Sequence, residues 1–142
     1  ARGDRDPGER VVSTPLFEFT LPGYDRPPLS MNDRSHWAKR AAVGKQVKQI
    51  AHMLTRNELT RRRHRHPDYR VDPPVVIDLV WYVTDRRRRD NDNPSITRKF
   101  AVDGVCEALG FDDTYWNVSG GTVIERGTDR AIAVRVRAGG AQ

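Results

Sequence analysis

The chain has 142 residues, of which 37% are hydrophobic and 31% are charged, and its formal net charge is +6 at pH 7. This length suits one domain with a modest core, and no apolar run reaches the ~18 residues that a membrane-spanning helix needs. The excess of positive charge favours a polyanionic partner, although charge alone does not separate DNA, RNA and acidic membrane surfaces. No signal-like segment opens the sequence, so we expect a soluble, cytoplasmic protein.

The N-terminal part of the chain predicts an arm, a strand and a turn-rich connection. Residues 1–14 carry mixed charge without clear periodicity, so we expect them to form a loose arm. Residues 17–21 alternate apolar and polar side chains, as in a half-buried strand. Residues 22–33 are rich in proline and aspartate and predict turns.

A long amphipathic helix is predicted over about 35–57. Its apolar face carries, at helical spacing, Val43, Val47, Ile50 and Leu54. The opposite face is basic and carries Lys45, Lys48, His52 and Arg56. This basic face fits either a solvated surface or a contact with nucleic acid.

The next segment, RRRHRHPDYRVDPP at 61–74, predicts a basic loop that ends in two prolines. His64 and His66 raise the question of a metal site, but no cysteine or carboxylate completes a usual zinc spacing. We therefore expect a solvated loop, or one that contacts phosphate groups.

The second half of the chain predicts three strands and one helix. Residues 75–84 are rich in β-branched and aromatic side chains and form the strongest predicted strand. A helix is expected over about 94–109, and further strands over 116–126 and 131–137, joined by a turn at 127–129. We therefore expect one α+β domain, in which a mixed or antiparallel sheet of about four strands packs with two main helices.

The helix over 94–109 carries an apolar stripe that includes Cys106. Because this is the only cysteine, an internal disulfide is excluded, in agreement with a reducing compartment. We expect Cys106 to be a core residue rather than a nucleophile. Ile96 and Phe100 fall away from the stripe, and we expect them to pack under a neighbouring strand or across a dimer seam.

The most informative stretch is RRRRDNDNPSITRK, at 86–99. Asp90 and Asp92 are two positions apart, so they point to the same side where the backbone is extended. Asn93 is a favoured N-cap and Pro94 a favoured first residue of a helix, which places both carboxylates in extended chain just before a helix. Two such carboxylates repel each other unless arginine side chains or a divalent metal ion lie between them.

A third carboxylate is available in FDDTYW, where Asp112 and Asp113 follow the end of the same helix. Oxygen ligands suit Mg²⁺ or Mn²⁺ rather than zinc. The second pair starts about 24 Å along the helix axis, so the chain has to fold back before the two pairs can meet. The alternative interpretation of the D-x-D-N pattern is an Asx-turn with a helix cap.

The segment TDRRRRDNDNPSITRKFAVDGVCEALGFDD resembles the RusA family of Holliday-junction resolvases. The family pattern is D-x-D-N, a lysine on the following helix, a D-[AG]-L-like segment and a D-D pair. It is met in order by Asp90, Asp92, Asn93, Lys99, the segment 103–105, Asp112 and Asp113. The stretch LPGYDRPPLSMND also resembles the family's N-terminal strand and P-P-S-x-N loop. The interval before Lys99 is three residues longer than in compact members, as in some phage-type members.

This resemblance implies a homodimeric endodeoxyribonuclease that depends on Mg²⁺, for which Mn²⁺ can substitute. Such an enzyme resolves four-way junctions and other branched DNA by paired symmetric cuts. It would act in the cytoplasm, that of a bacterial host if a phage encodes it, and without a membrane partner. The endonuclease domain would span 15–138, between the N-terminal arm and a tail at 139–142.

The resemblance also implies roles for single residues. The metal would be held by Asp90, Asp92 and Asp113, with Asp112 and Asp103 as further candidates. Lys99 would be the catalytic lysine, while its spacing alone predicts an i,i+4 ion pair with Asp103, which we favour over a metal contact for Asp103. The candidate DNA-binding residues are Arg86, Arg87, Arg88, Arg89, Arg98, Lys45 and Lys48.

Two other functions fit the same residues. One is a non-catalytic module that binds branched DNA, and the other is a general Mg²⁺-dependent nuclease without preference for junctions. Trp37, Tyr115 and Trp116 either stack on unpaired bases at a crossover or are buried aromatic residues of the core.

Overall fold

The chain folds into a mixed sheet whose one face is covered by two helices. The computed structural model describes residues 15–29, 37–85 and 94–140. The α+β class, the mixed sheet and the two main helices are confirmed, and the sheet has five strands in the described ranges. In chain order the elements are β1 (Pro15–Thr20), α1 (Trp37–Arg65), β2 (Val75–Val83), α2 (Ser95–Leu109), β3 (Val118–Ser119), β4 (Thr122–Arg126) and β5 (Ala131–Ala138).

Strand β2 lies inside the sheet. The strand order is β1–β5–β2, and both β3 and β4 pair with the other edge of β2. Strand β5 runs antiparallel to its two neighbours, whereas β3 and β4 run parallel to β2. The parallel pairing arises because α2 carries the chain across the sheet between β2 and β3. Helix α2 and the loop that follows it therefore lie beside β2.

The two faces of the sheet differ in chemistry. The helix-facing side of β2 contributes to the core Val75, Ile77, Leu79, Trp81 and Val83. On the other side, Arg135 of β5 donates hydrogen bonds to Glu18 at 2.7 Å, Glu125 at 2.9 Å and Tyr82 at 3.1 Å. The hydrogen bond to Glu125 is the main cause that raises the pKa of Arg135, so this network stays charged at ordinary pH.

The strand predicted over 116–126 is interrupted at Gly120, so the prediction of one continuous strand is wrong. Gly120 has φ +111°, a conformation that favours glycine, and a Cβ there would overlap the carbonyl oxygen of Ile77. At this interruption Arg98 of α2 donates hydrogen bonds to the carbonyl oxygens of Ile77 at 3.0 Å and of Ser119 at 3.3 Å. A side chain thus replaces the missing strand-to-strand hydrogen bonds.

Helix α1 continues through residues 61–65, which the sequence predicted as loop, and that prediction is wrong. Glu58 forms an i,i+4 ion pair with Arg62, and the basic side chains of the last turn favour the negative end of the helix. The helix stops shortly before Pro67, because the residue before a proline disfavours helical backbone. Although α1 has 29 residues, no helix in the described ranges is long and apolar enough to cross a membrane.

The two helices approach each other closely through glycines. A Cβ on Gly104 of α2 would overlap the carbonyl oxygen of Lys48 in α1, and a Cβ on Gly44 would overlap the ring of Phe100. Phe100 therefore packs on α1, and not under a strand or across a dimer seam as expected. This contact rotates α1 relative to the predicted orientation, so that its buried residues are Gly44, Val47, Ala51, Thr55 and Leu59.

Helix α2 begins at Ser95, and Pro94 occupies the cap position, one residue from the predicted start. The carbonyl oxygen of Pro94 accepts the first helical hydrogen bond from the amide of Arg98 at 3.0 Å. Asn93, the predicted cap, lies outside the described residues. Cys106 is only 4% exposed, and burial raises the pKa of its thiol to about 12, so the prediction of a core cysteine is confirmed.

Candidate active site

Part of the predicted site lies outside the described residues. Asp90, Asp92 and the arginines at 86–89 belong to the segment between residues 85 and 94, and their roles stay predictions. The described candidates are Lys45, Lys48, Arg98, Lys99, Asp103, Asp112 and Asp113.

The chain reverses direction immediately after α2. Gly110 adopts the left-handed conformation with φ +91°, and its amide donates to a carbonyl oxygen of the last helical turn at 2.8 Å. The following turn is held by Asn117, whose side-chain amide donates to the carbonyl oxygen of Asp112 at 2.9 Å. As a result Asp113 returns alongside α2, where its carboxyl group hydrogen-bonds that of Asp103. The second acidic pair therefore does fold back along the helix.

Asp103 and Asp113 form a carboxyl pair about 12 Å along α2 from its first residue. Burial is the main cause that raises the pKa of Asp103, and the hydrogen bond and negative charge of Asp113 raise it further. The positive charges of Lys48 and Lys99 act in the opposite direction. Two carboxyl groups in such contact repel each other when both are ionised, so the pair either shares a proton or binds a cation.

The carboxyl pair lines a shallow pocket of about 280 Å³, which Asp112 also borders. Lys48 reaches this pocket from α1, and its Nζ lies 3.6 Å from Oε2 of Glu107, whose Oε1 lies 2.9 Å from Nδ1 of His52. The predicted position of Lys48 and His52 opposite the core is wrong, because the rotation of α1 turns both toward α2. Glu107 was not predicted, although its spacing of four residues from Asp103 was the available signal.

Lys99 lies on the exposed surface of α2, one helical turn before Asp103. Its positive charge partly offsets the rise in the pKa of Asp103. The predicted ion pair between Lys99 and Asp103 does not form in the part of the chain that the structure describes. The carboxyl group of Asp103 is directed to Asp113 instead. Within the described ranges the ammonium group of Lys99 therefore has no carboxylate partner.

Arg98, a predicted DNA-binding residue, has a structural role in the described part of the chain. Its guanidinium donates to the carbonyl oxygens of Ile77 and Ser119, and burial lowers its pKa. These hydrogen bonds use Nε and Nη2 and fix the guanidinium group against the main chain of the sheet. The contact of Arg98 with DNA stays a prediction, beside the structural role that these hydrogen bonds show.

Lys45 and Lys48 line a surface groove of about 310 Å³, together with Gln49, His52 and Glu107. Lys48 borders both this groove and the pocket of the carboxyl pair. A basic strip on α1 thus leads to the acidic residues. This arrangement fits contact with a phosphate backbone that runs toward the pair.

The oxygen donors of the carboxyl pair fit a hard divalent cation. Carboxylate oxygens are the ligands that Mg²⁺ and Mn²⁺ prefer, and a cation would relieve the repulsion that raises the pKa of Asp103. Among the described residues, no group of three or more His, Cys, Asp or Glu is arranged to hold a metal. A complete metal site would therefore need ligands from the segment that contains Asp90 and Asp92.

Three large aromatic side chains are exposed, which excludes the alternative that they belong to the core. The exposed fractions are 74% for Trp37, 86% for Tyr115 and 63% for Trp116. The rings of Tyr115 and Trp116 pack edge to face with their centroids 4.8 Å apart. One residue separates Tyr115 from Asp113 in the chain. Exposed apolar groups beside a polar site are typical of binding surfaces.

The chain matches no protein-family model and no curated protein. Its function is therefore inferred from the carboxyl pair, the surrounding lysines and the sequence motif.

Proposed function

We propose that this protein is a metal-dependent, structure-selective endodeoxyribonuclease that resolves four-way junctions and other branched DNA, as the resemblance to the RusA family implies. The observation that carries the proposal is the return of Asp113 onto Asp103 between the charges of Lys48 and Lys99. Packing alone does not favour such a contact, because two ionised carboxylates repel each other and the contact raises their free energy. Phosphodiester hydrolysis, in contrast, uses carboxylates and cations that converge on one point.

Each residue of the site has a separate role in this proposal. Asp90, Asp92, Asp103 and Asp113 would hold Mg²⁺, or Mn²⁺ in its place. When bound, the metal supplies a Lewis acid that lowers the pKa of a coordinated water. Lys99, one turn away, would face the negative charge that develops on the phosphate oxygens in the transition state.

The basic residues would position the DNA. Lys45 and Lys48 line the groove that leads to the carboxyl pair, and the arginines at 86–89 adjoin Asp90 in sequence. Contacts of this kind bind DNA without reading its sequence and weaken as salt is added. Paired cuts in two opposed strands need two sites in symmetric relation, which a twofold homodimer provides.

The test compares a labelled four-way junction with a linear duplex of the same sequences, with and without Mg²⁺. We expect paired symmetric nicks near the crossover of the junction, only with the metal. Asp92→Asn and Asp113→Asn should abolish cleavage but keep binding in a gel-shift assay. Asp129→Asn, in the exposed turn between β4 and β5, is the matched control and should cut like the wild type.

Each other outcome assigns a different function. Equal cutting of junction and duplex would identify a general nuclease, and binding without any cutting would identify a non-catalytic module. Normal cleavage by Asp113→Asn would overturn the assignment of the metal-binding residues.

A further inference from the structure

A cleft of about 320 Å³ lies between the first turns of α1 and α2, apart from the pocket of the carboxyl pair and the lysine groove. We name it the α1–α2 cleft; its lining includes Leu29, Trp37, Arg40, Ile96, Lys99 and Phe100. It adjoins the candidate active site, because Lys99 lines the cleft and also acts on the pKa of Asp103.

The walls of the α1–α2 cleft are fixed by contacts on their far sides. The buried hydroxyl of Thr97 accepts a hydrogen bond from the amide of Leu29 at 3.0 Å and donates to the carbonyl oxygen of Leu29 at 2.6 Å. The ring of Phe100 packs directly against Gly44. Because these groups are already ordered, a ligand loses little free energy in arranging them.

The α1–α2 cleft combines aromatic surface with positive charge. Trp37 and Phe100 offer flat apolar faces, and Trp37 is 74% exposed. Arg40 and Lys99 supply two cations, and Nε of Arg40 is buried without a hydrogen-bond partner among the described residues. The two cations would attract an anionic group to a surface that also offers aromatic faces.

These features together select the chemistry of the ligand. A nucleotide presents a flat base, which stacks on aromatic rings, and an anionic phosphate, which pairs with cations. An apolar peptide would instead cover Arg40 and Lys99 without compensating their charge. The positive net charge of the chain favours the same choice.

The spacing along α2 connects the α1–α2 cleft with the carboxyl pair. Lys99 and Asp103 are four residues apart, which corresponds to ~6 Å along the helix axis. A DNA strand advances ~3.4 Å per nucleotide along a duplex. The α1–α2 cleft and the carboxyl pair are therefore separated by a distance of only one or two nucleotides.

We propose that the α1–α2 cleft binds one unpaired nucleobase of branched DNA, next to the phosphodiester that is cut. A base inside a duplex is not accessible to such a cleft, whereas a base at a crossover can leave the stack. The cleft would thus give preference for branched over linear DNA. This inference rests on the proposed function and names a part of its substrate site.

The test is a binding cycle between Trp37 and single bases of the junction. Affinity for a four-way junction is measured by fluorescence anisotropy in EDTA, so that no strand is cut, with an abasic residue at each crossover nucleotide in turn. At one position the wild type should lose roughly tenfold in affinity, the size expected for stacking of one base. Trp37→Ala should lose about as much with the intact junction, and should lose nothing more with that abasic junction.

Two variants separate stacking from structural effects. Trp37→Phe keeps an aromatic face and should retain the coupling, whereas Met53→Ala removes another exposed side chain of α1 and should behave like the wild type. The thermal unfolding midpoint of Trp37→Ala, compared with that of Trp37→Phe, shows whether the truncation acts on folding as well as on DNA affinity.

Three results would overturn the inference. The first is an abasic scan in which no position affects binding, and the second is a combination of Trp37→Ala with the abasic junction in which the two fold-losses of affinity multiply. The third is a change in the sedimentation of Trp37→Ala without any change in its DNA affinity. The last would identify the cleft as a contact between copies of the chain. Cleavage with Mg²⁺ separates the two proposals. A wild type that cuts the junction but shows no coupling between Trp37 and a single base contradicts only the base site. A wild type that shows this coupling but does not cut contradicts only the nuclease.

Discussion

The carboxyl groups of Asp103, in the third turn of α2, and Asp113, beyond its end, hydrogen-bond to each other. The contact forms because Gly110 reverses the chain in a conformation that other residues rarely adopt. It brings two acidic groups together beside Lys48 and Lys99. When no cation is bound, this contact therefore costs free energy once both groups are ionised.

We predict that Asp103→Asn stabilises the metal-free protein at pH 7. The pKa of Asp103 in the folded state is raised above its ordinary value of 3.8, so the native carboxyl group holds its proton more tightly than the unfolded one. The contribution of Asp103 to stability is therefore most favourable below pH 3.8 and is lost as the pH rises through its folded-state pKa. The asparagine variant does not undergo this loss. Its free energy of unfolding should therefore exceed that of the wild type by an amount that grows from pH 3.5 to pH 7 in EDTA.

Urea titrations across that pH range measure this difference. Asp129→Asn, in the exposed turn after β4, should show no pH-dependent advantage over the wild type. An advantage of Asp103→Asn that is equal at pH 3.5 and at pH 7 would contradict the prediction.

We predict that Gly104→Ala lowers the free energy of unfolding by about 1–3 kcal/mol. The added Cβ would overlap the carbonyl oxygen of Lys48, and a main-chain atom cannot move aside without separating α1 from α2. The loss should appear even though alanine favours an isolated helix over glycine. Gly121→Ala, where the added Cβ meets open space, is the control and should unfold nearly as the wild type does.

Replacement of Arg98 by methionine should affect folding rather than DNA binding. The variant leaves the carbonyl oxygens of Ile77 and Ser119 without their hydrogen bonds from Arg98, which should cost about 1–3 kcal/mol. The salt dependence of DNA affinity should stay unchanged. A smaller salt slope with normal stability would instead support the predicted contact of Arg98 with DNA.

The double variant Lys45→Ala and Lys48→Ala should show the opposite behaviour. Each lysine that pairs with a phosphate contributes about 1 to the slope of log affinity against log salt, so the slope should fall by about 2. Stability should change little, since Lys45 is exposed and Lys48 is partly exposed. Arg70→Ala, in the loop beyond the far end of α1, is the control, and an equal loss of slope there would mean that the charge effect is not local.

The thiol of Cys106 should react slowly in the native protein. Its pKa is raised to about 12, first by burial and then by the charges of Asp113 and Asp103, so about one thiol in ten thousand is ionised at pH 8. Alkylation with iodoacetamide should be slow in buffer and fast in denaturant. Rapid alkylation of the native protein would show that the thiol is accessible and that the helix packs differently here.

The sequence alone predicted the elements whose patterns are strong. The strand predicted over 75–84 is observed as β2, Val75–Val83, because a run of β-branched and aromatic residues favours the inside of a sheet, and α2 starts within one residue of Pro94. It also predicted a core position for Cys106 and the need for a chain reversal before Asp113. Each of these follows from side-chain type and local backbone preference.

Only the tertiary structure decided which groups meet. The rotation of α1 depends on contacts of Gly44 with Phe100 and of Gly104 with Lys48, which no pattern within one helix records. The same packing turns Lys48 toward the carboxyl pair, and the interruption at Gly120 engages Arg98 in hydrogen bonds with main-chain carbonyl oxygens. The pairing of Asp103 with Asp113, rather than with Lys99, follows from the reversal at Gly110. Local preference thus determined β2 and the start of α2, whereas close packing between distant residues determined which groups meet at the candidate site.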